Sequence, residues 1–347
     1  MNTTTRLGTL DVSSIGYGCM ALTDIYGGGL TDDDARASLN EAVDAGITLL
    51  DTADVYGEPP SRDHIGPAGT NEEMLAPLLA KRRDEVQIST KFGIAGEAVN
   101  PDTGKIESQG LNGRPEYVQS ACEASLRRLG VETIDLYYLH RPDPEVPLEE
   151  TVGAMASLVE QGKVRQLGVS ELTADELRRA HATHPIAALQ SEWSVWSRDI
   201  EDTVVPTCAE LGIGVVPYSP LGRGFLTGTL FKEAVSSDVR GDMERMASGW
   251  DDNERALALV ADVAEELGAT NSQVCLAWLL AKGARYGVNT VPIPGSRKAS
   301  RMIENLGGTE LTLTDSHVAS LDKVAGLVTG TRSIHADDPT WVSSGRE

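Results

Sequence analysis

The chain has 347 residues, 40% hydrophobic and 24% charged, a globular composition with room for one large domain or two ordinary ones. Lys plus Arg is 30 against 52 Asp plus Glu, and the resulting net charge of −22 repels nucleic acid and anionic membrane surfaces. No run reaches the ~18 apolar residues of a membrane span, and the N-terminus MNTTTRLGTLDV lacks the apolar centre of a secretory signal. Cys19, Cys122, Cys208 and Cys275 form no C-x-x-C pair, so free thiols in a reducing, cytoplasmic setting are expected.

In chain order, residues 1–15, with TRLGTLDVSSIG among them, read as a β-hairpin. Eight short apolar runs follow: GYGCM, ITLLDT, VQISTKF, IDLYYLH, VRQLGVS, IAALQSEW, IGVVPYS and NTVPIP. Stretches of helical period separate them. Ala35, Leu39, Ala42 and Val43 share one helical face, as do Val118, Ala121, Cys122, Leu126 and Leu129, and again Val152, Met155, Ala156 and Val159. Gly46, Gly130 and Gly212 stand where helices should stop. Strand and helix alternating eight times predict parallel strands with helical crossovers. The expected fold is α/β, a (β/α)8 TIM barrel over 1–347 as a single domain, with the N-terminal hairpin closing the barrel floor. Two connections, 93–115 and 222–250, exceed ordinary βα loops and fall on the active face, and 329–347 forms a C-terminal tail.

In such a barrel the chemistry sits at the C-terminal ends of the strands. The runs deliver there Asp51 followed by Tyr56, then Lys91, His140, Ser170, Gln190, Tyr218 with Ser219, and finally Gly295, Ser296 and Arg297. A buried carboxylate needs a partner, and Lys91 is expected to reach Asp51 from the neighbouring strand. The ammonium should in turn pull the Tyr56 phenol down from its usual pKa of about 10. With His140 as a hydrogen-bond donor, Asp51, Tyr56, Lys91 and His140 make a proton-delivery site for a carbonyl oxygen. That site lacks a reductant, so a cofactor must supply one. Taken alone, Asp51 with Lys91 reads as well as a structural ion pair, and His140 as a core histidine. A metal on Asp51 and His140 finds no further ligands at recognisable spacing, so none is expected.

GSRKASR (295–301) gathers Arg297, Lys298 and Arg301 in an acidic chain, with Ser300 placed to cap a helix beginning near Arg301. Such a cluster fits a bound phosphate. GRGFLTG (222–228) is one residue off the dinucleotide fingerprint and reads as a glycine loop over a cofactor, and YGGG (26–29) as a plain loop. Tyr26, Phe92, Arg141 and Trp193 lie near strand ends and are candidate pocket walls, with Arg141 facing either an acidic substrate group or Asp143.

The segments LLDTADVYG, ISTKFG, LYYLHRPD, GVSE, LQSEWSVWSRD, VPYSPLGRGFLTG and IPGSRKASRMIENLGG, in this order, resemble the aldo-keto reductase superfamily over nearly the whole chain. The likeness is to the bacterial and plant branch with a long loop after strand three. It implies a catalytic tetrad of Asp51, Tyr56, Lys91 and His140, and NADPH extended across the barrel mouth. Ser170 and Gln190 would hold the carboxamide, and Tyr218 would stack on the nicotinamide. Ser219, Leu221 and Gly222 would follow the pyrophosphate. Ser296, Arg297 and Arg301 would meet the 2′-phosphate, with Glu304 and Asn305 near the adenine. Glu171 stands where many members carry Asn, and Gly295 where some carry Lys, which leaves the 2′-phosphate to the arginines. The implied activity is reversible, NADPH-dependent reduction of a small aldehyde or ketone by a cytoplasmic enzyme. The alternative is an NADPH-binding regulatory protein that resembles the potassium-channel β subunits and acts on a protein partner.

Overall fold

Thr4–Leu7 (β1) and Leu10–Ser13 (β2) pair antiparallel, and Gly8, at φ 59°, makes the tight turn between them. This hairpin opens a computed structural model that describes residues 3–27, 30–58, 64–99, 106–235, 238–333, 341–343 and 346. Seven parallel strands follow: Tyr17–Gly18 (β3), Leu49–Asp51 (β4), Gln87–Phe92 (β5), Ile134–Leu139 (β8), Val164–Ser170 (β9), Ile186–Glu192 (β10) and Gly214–Tyr218 (β11). They pair in the order β11-β10-β9-β8-β5-β4-β3. A separate antiparallel hairpin, Glu97–Val99 (β6) with Ile106–Ser108 (β7), occupies the long connection 93–115, of which residues 100–105 lie outside the described residues.

The eighth run, NTVPIP, closes the ring without forming a regular strand. Val215 N–H donates to Asn289 O (2.8 Å), and Val291 N–H donates back to Val215 O (2.9 Å). Ile293 N–H reaches Pro217 O at 3.1 Å, and on the other edge Pro292 and Pro294 accept from Gly16 and Gly18, both at 3.0 Å. Prolines 217, 292 and 294 have no N–H to return, so both ladders run partly one way. The barrel is therefore nearly closed, an α/β (β/α)8 TIM architecture with seven regular strands and a proline-rich eighth.

Helices Asp32–Asp44 (α1), Thr70–Arg82 (α2), Pro115–Leu129 (α3), Leu148–Glu160 (α4), Ala174–Thr183 (α5) and Val204–Leu211 (α6) make the crossovers. After β11 come Lys232–Val235 (α7), Trp250–Leu267 (α8), Asn271–Tyr286 (α9), Ala299–Leu306 (α10) and Asp315–Leu321 (α11). The buried face of α4 is Leu148, Thr151, Val152, Met155 and Leu158, with Val159 partly buried against the core and Ala156 at the edge of the face. Gly130 and Gly212 cap α3 and α6 in the left-handed conformation, at φ 66° and 70°. No described helix is long and apolar enough to cross a membrane.

Two apolar layers follow from the pleat. The large outer core lies between strands and helices. A small inner core fills the barrel: Leu49, Leu136, Tyr138, Ala188, Val216, Val291 and Ile293, packed with Leu7, Leu10 and Val12 of the hairpin. The floor is thus plugged by aliphatic side chains, as expected. Gly168 leaves room for the Tyr138 ring, with which any Cβ there would collide.

Candidate active site

Period two along the strands carries the inner column from apolar to polar. Asp51 stands two residues beyond Leu49, Lys91 two beyond Ser89, His140 two beyond Tyr138, and Gln190 two beyond Ala188. In the parallel register Asp51 faces Ser89, so Lys91 projects just above the carboxylate. Its ammonium lies 2.5 Å from Asp51 Oδ1 and 2.7 Å from Thr52 O, and it approaches Tyr56 Oη at 3.5 Å. Asp51 Oδ2 accepts from Ser89 Oγ (2.8 Å) and Gln190 Nε2 (2.9 Å). Lys91 is fully buried and Asp51 nearly so, which is tolerable because every partner of the pair is polar. The four expected tetrad residues come together: the Tyr56 and His140 rings meet edge to face at 5.9 Å, and Lys91 Nζ lies 4.9 Å from the Tyr56 centroid.

The electrostatics differ in one respect from the sequence reading. Burial pushes the Tyr56 phenol above its ordinary value, and although Lys91 pulls it down, the net shift is upward. Tyr56 therefore stays protonated across the neutral range. Burial pulls the Lys91 ammonium down, but Asp51 and Tyr56 outweigh it and the net shift is upward. Burial, then Arg141 and Lys91, hold His140 well below the ordinary imidazole range, so it is neutral, and its buried Nδ1 has no hydrogen-bond partner.

These groups line one end of a cavity of about 1410 Å³. Asp51, Tyr56, His140, Ser170, Gln190, Tyr218, Ser219, Leu221, Ser296, Arg297, Arg301, Glu304 and Asn305 are all in its wall, as are Tyr26 and Arg141. Lys91 acts from behind Asp51 and Tyr56. Gly222 is not in the wall; it is buried, and a Cβ there would press on the Trp196 indole. Phe92 and Trp193, expected as pocket walls, face the other way. Each follows an inward position by an odd number of residues, so the pleat turns it toward the helices. Phe92 stacks on Tyr137 at 5.0 Å. Trp193 packs against Trp278 and Tyr286 and donates its indole N–H to Glu201 (2.9 Å).

The far end of the cavity is basic. Arg297, Lys298 and Arg301 stand at the start of α10. Ser300 is inside that helix rather than at its cap: the cap residue is Lys298, no side chain caps it, and Ser296 Oγ accepts from Lys298 N–H (3.1 Å). Between the two ends runs the turn 219–224, where Ser219, Gly222, Arg223 and Gly224 all adopt positive φ. Left-handed Ser and Arg are costly, and such strain concentrates at functional turns. Among the described residues, cationic wall residues number seven (Arg141, Arg223, Arg240, Arg297, Lys298, Arg301, Arg332) against three carboxylates (Asp51, Glu58, Glu304), the reverse of the whole chain's balance. Among the described residues, no group of three or more His, Cys, Asp and Glu side chains is gathered to hold a metal ion.

Arg223, Arg240 and Arg332 were missed in the sequence. Arg240 pairs with Asp238 (2.6 Å) and lies over the Tyr26 ring at 4.6 Å. Arg332, Ser333 and Trp341 of the tail also line the cavity, and Glu171 holds Arg332. Residues 28–29 of the YGGG loop, 236–237, His335 with the rest of 334–340, 344–345 and 347 lie outside the described residues. Arg223 sits inside the glycine run already singled out and was within reach of sequence reasoning. Arg332 offered no such signal.

Known proteins share this architecture and class. The glycerol dehydrogenase AKR11B4 from Gluconobacter oxydans superposes with a TM-score of 0.79 at 26% identity, covering 93% of this chain and 94% of that one. The aldo-keto reductase AKR11C1 from Bacillus halodurans gives 0.72 at 26%, covering 94% and 97%. The thermostable aldo-keto reductase Tm1743 gives 0.70 at 28%, covering 93% and 99%. The class is thus that of barrel-fold oxidoreductases. A family model described as Aldo/keto reductase family matches residues 14–325, and probable aldo-keto reductase 1 of Glycine max is 44% identical over 321 residues, 91% of this chain and 87% of that one. The chain belongs to the aldo/keto reductase family. The regulatory-subunit alternative is not favoured by these relatives.

Proposed function

We propose that the protein is a cytoplasmic reductase that converts a small aldehyde or ketone to the alcohol with NADPH, reversibly, and that Tyr56 is the proton donor. The observation that carries this is Lys91 Nζ set between Asp51 Oδ1 at 2.5 Å and Tyr56 Oη at 3.5 Å, beside a neutral His140, at one end of a long basic cavity. The residues fit the cofactor: a basic cluster at a helix start with no side-chain cap suits a 2′-phosphate, and the positive-φ turn 219–224 suits a pyrophosphate. Ser296, Arg297 and Arg301 would hold the phosphate, Glu304 and Asn305 would lie by the adenine, and Ser219, Leu221 and Gly222 would follow the pyrophosphate, Gly222 through its backbone. Tyr218 would stack on the nicotinamide, and Ser170 and Gln190 would meet its carboxamide. Because Gln190 Nε2 already donates to Asp51, its amide oxygen is the group left for that contact.

NADPH supplies the hydride. The protein's own groups manage the proton and the charge. The protonated Tyr56 hydroxyl gives its proton to the carbonyl oxygen as negative charge develops there. Lys91 stabilises the phenolate left behind, and Asp51 keeps Lys91 charged and aimed. Neutral His140 has one ring N–H to donate to the same oxygen. The four buried, unpaired cysteines are in keeping with a reducing compartment. A panel of aldehydes and ketones assayed with NADPH and NADH side by side tests the reading. Turnover of at least one carbonyl, with NADPH preferred, is expected; no oxidation of either cofactor across the panel would refute it.

A further inference from the structure

We infer that the substrate carries a carboxylate close to its carbonyl, and that Arg141 binds it. The inference rests on the reductase reading of this same cavity. Among the described residues three arginines are buried: Arg141, Arg240 and Arg332. Two have found carboxylates. Arg240 pairs with Asp238 at 2.6 Å, and Arg332 with both Glu171 and Asp199 at 2.9 Å. Arg141, 6% exposed, has no carboxylate oxygen within 4.0 Å among the described residues, in a chain with 52 acidic side chains. Among the described residues its Nη1 donates to two neutral oxygens, His140 O at 2.7 Å and Ser170 Oγ at 3.2 Å, and its closed-off Nε has no partner.

A guanidinium cannot shed its proton, so burial without a counter-ion is a standing cost. The sequence neighbour Asp143 does not relieve it, because that carboxylate accepts from Gly113 N–H and Glu145 N–H, both at 2.9 Å. Glu171, whose charge is felt by Arg141, is already occupied by Arg332 and by Ser343 N–H. The phosphates of the proposed cofactor are assigned elsewhere, the 2′-phosphate to the opposite, basic end and the pyrophosphate to the turn 219–224. What remains for Arg141 is the substrate.

The surroundings fit that use. Arg141 lines the cavity, follows His140 directly in sequence, and has the Trp341 ring 5.1 Å from its guanidinium carbon. The ring covers part of the cation while its donor edge can face a planar anion. The fork of N–H donors matches a carboxylate two bonds at a time. Adjacency to His140 places that carboxylate near the reacting carbonyl, which points to short oxo acids: 2-oxo acids, short semialdehyde acids, or aromatic aldehydes bearing a carboxylate.

The experiment uses glyoxylate, succinate semialdehyde and 4-carboxybenzaldehyde, each against its methyl ester, with NADPH and the full chain. The native protein should favour at least one acid over its ester by about 10- to 100-fold in kcat/KM, the span of one charge-assisted pair. Arg141→Gln should collapse that ratio toward one, and Arg141→Lys should leave an intermediate ratio. A second arm measures, by calorimetry on the NADP+-saturated protein, the binding of the corresponding hydroxy acids and hydroxy esters. Acid-selective binding lost in R141Q supports the inference even if no carbonyl is turned over, a result that would refute only the reductase reading. Native protein that handles each ester as well as its acid overturns the inference. So does an R141Q variant that weakens NADPH binding and leaves the acid-to-ester ratio intact, because Arg141 would then serve the carboxamide instead.

Discussion

Two buried ion pairs stand at the ends of barrel strands and have different tasks. Asp51–Lys91 closes at 2.5 Å and Glu171–Arg332 at 2.9 Å, and all four side chains are buried. Asp51 is held by Ser89 and Gln190, but Lys91 also faces Tyr56 across 3.5 Å, where a third group can gain or lose a proton. The second pair also meets a phenol, since Arg332 Nη1 donates to Tyr218 Oη at 3.4 Å, but most of the contacts of Glu171 are to the fold itself. Its oxygens accept from both terminal nitrogens of Arg332, from Glu192 N–H and from Ser343 N–H, and they tie the C-terminal tail to the barrel. Glu171 itself sits at φ 53°, a strained conformation that these contacts compensate. Burial alone would raise its carboxyl; Arg332 outweighs burial, and the carboxyl ends well below the ordinary range. The difference lies in what surrounds each pair: Tyr56, beside Lys91, meets the His140 ring at 5.9 Å, whereas Glu171 takes up backbone N–H groups of the barrel and the tail.

The comparison can be broken by substitution. The largest effect is expected at Lys91→Met, which keeps the volume and removes the charge beside Tyr56. Turnover should fall by about 100- to 10,000-fold, read from kcat at saturating NADPH. A fall of less than tenfold would make Asp51–Lys91 a merely structural pair. Glu171→Gln should instead cost about 1–3 kcal/mol of stability, read by thermal unfolding, with far less effect on kcat. The sign with pH is fixed. Because the folded carboxyl is depressed, its stabilisation is complete above the ordinary value of 4.5 and is lost as pH falls toward the folded value. The gap between native and variant should therefore narrow on acidification below about 4.5. A gap that widened would contradict the pairing. The smallest effect belongs to Phe92→Leu, a core substitution costing about 1.5 kcal/mol or less, with KM unchanged. A marked change in KM would return Phe92 to the pocket wall.

Much of this was legible in the sequence because period two fixes which side chains share a face. Asp51, His140 and Gln190 each lie two residues beyond an inner-core neighbour, and Lys91 two beyond the buried Ser89, so reading strand ends found them. The same rule, applied without tracking parity, misassigned Phe92 and Trp193, which the pleat turns outward. NTVPIP was recognised as an apolar run, but its prolines make it an irregular eighth strand. Serine at 300 is a good cap by type, yet α10 begins at Ala299, one residue before it. The Tyr56 shift was misjudged because a neighbouring ammonium is visible in a motif and desolvation is not. The Glu171 clasp spans 161 residues to Arg332, and no local pattern announces a contact at that separation.

The central claim is that Tyr56 delivers the proton. Its raised phenol predicts that reduction stays undiminished up to about pH 10, its ordinary value, and declines only above that. The most direct measurement compares kcat and NADPH affinity for native protein and Tyr56→Phe on one carbonyl substrate. The account predicts a loss of turnover of about 100-fold or more with NADPH binding almost unchanged. Turnover within a few-fold of native would contradict it.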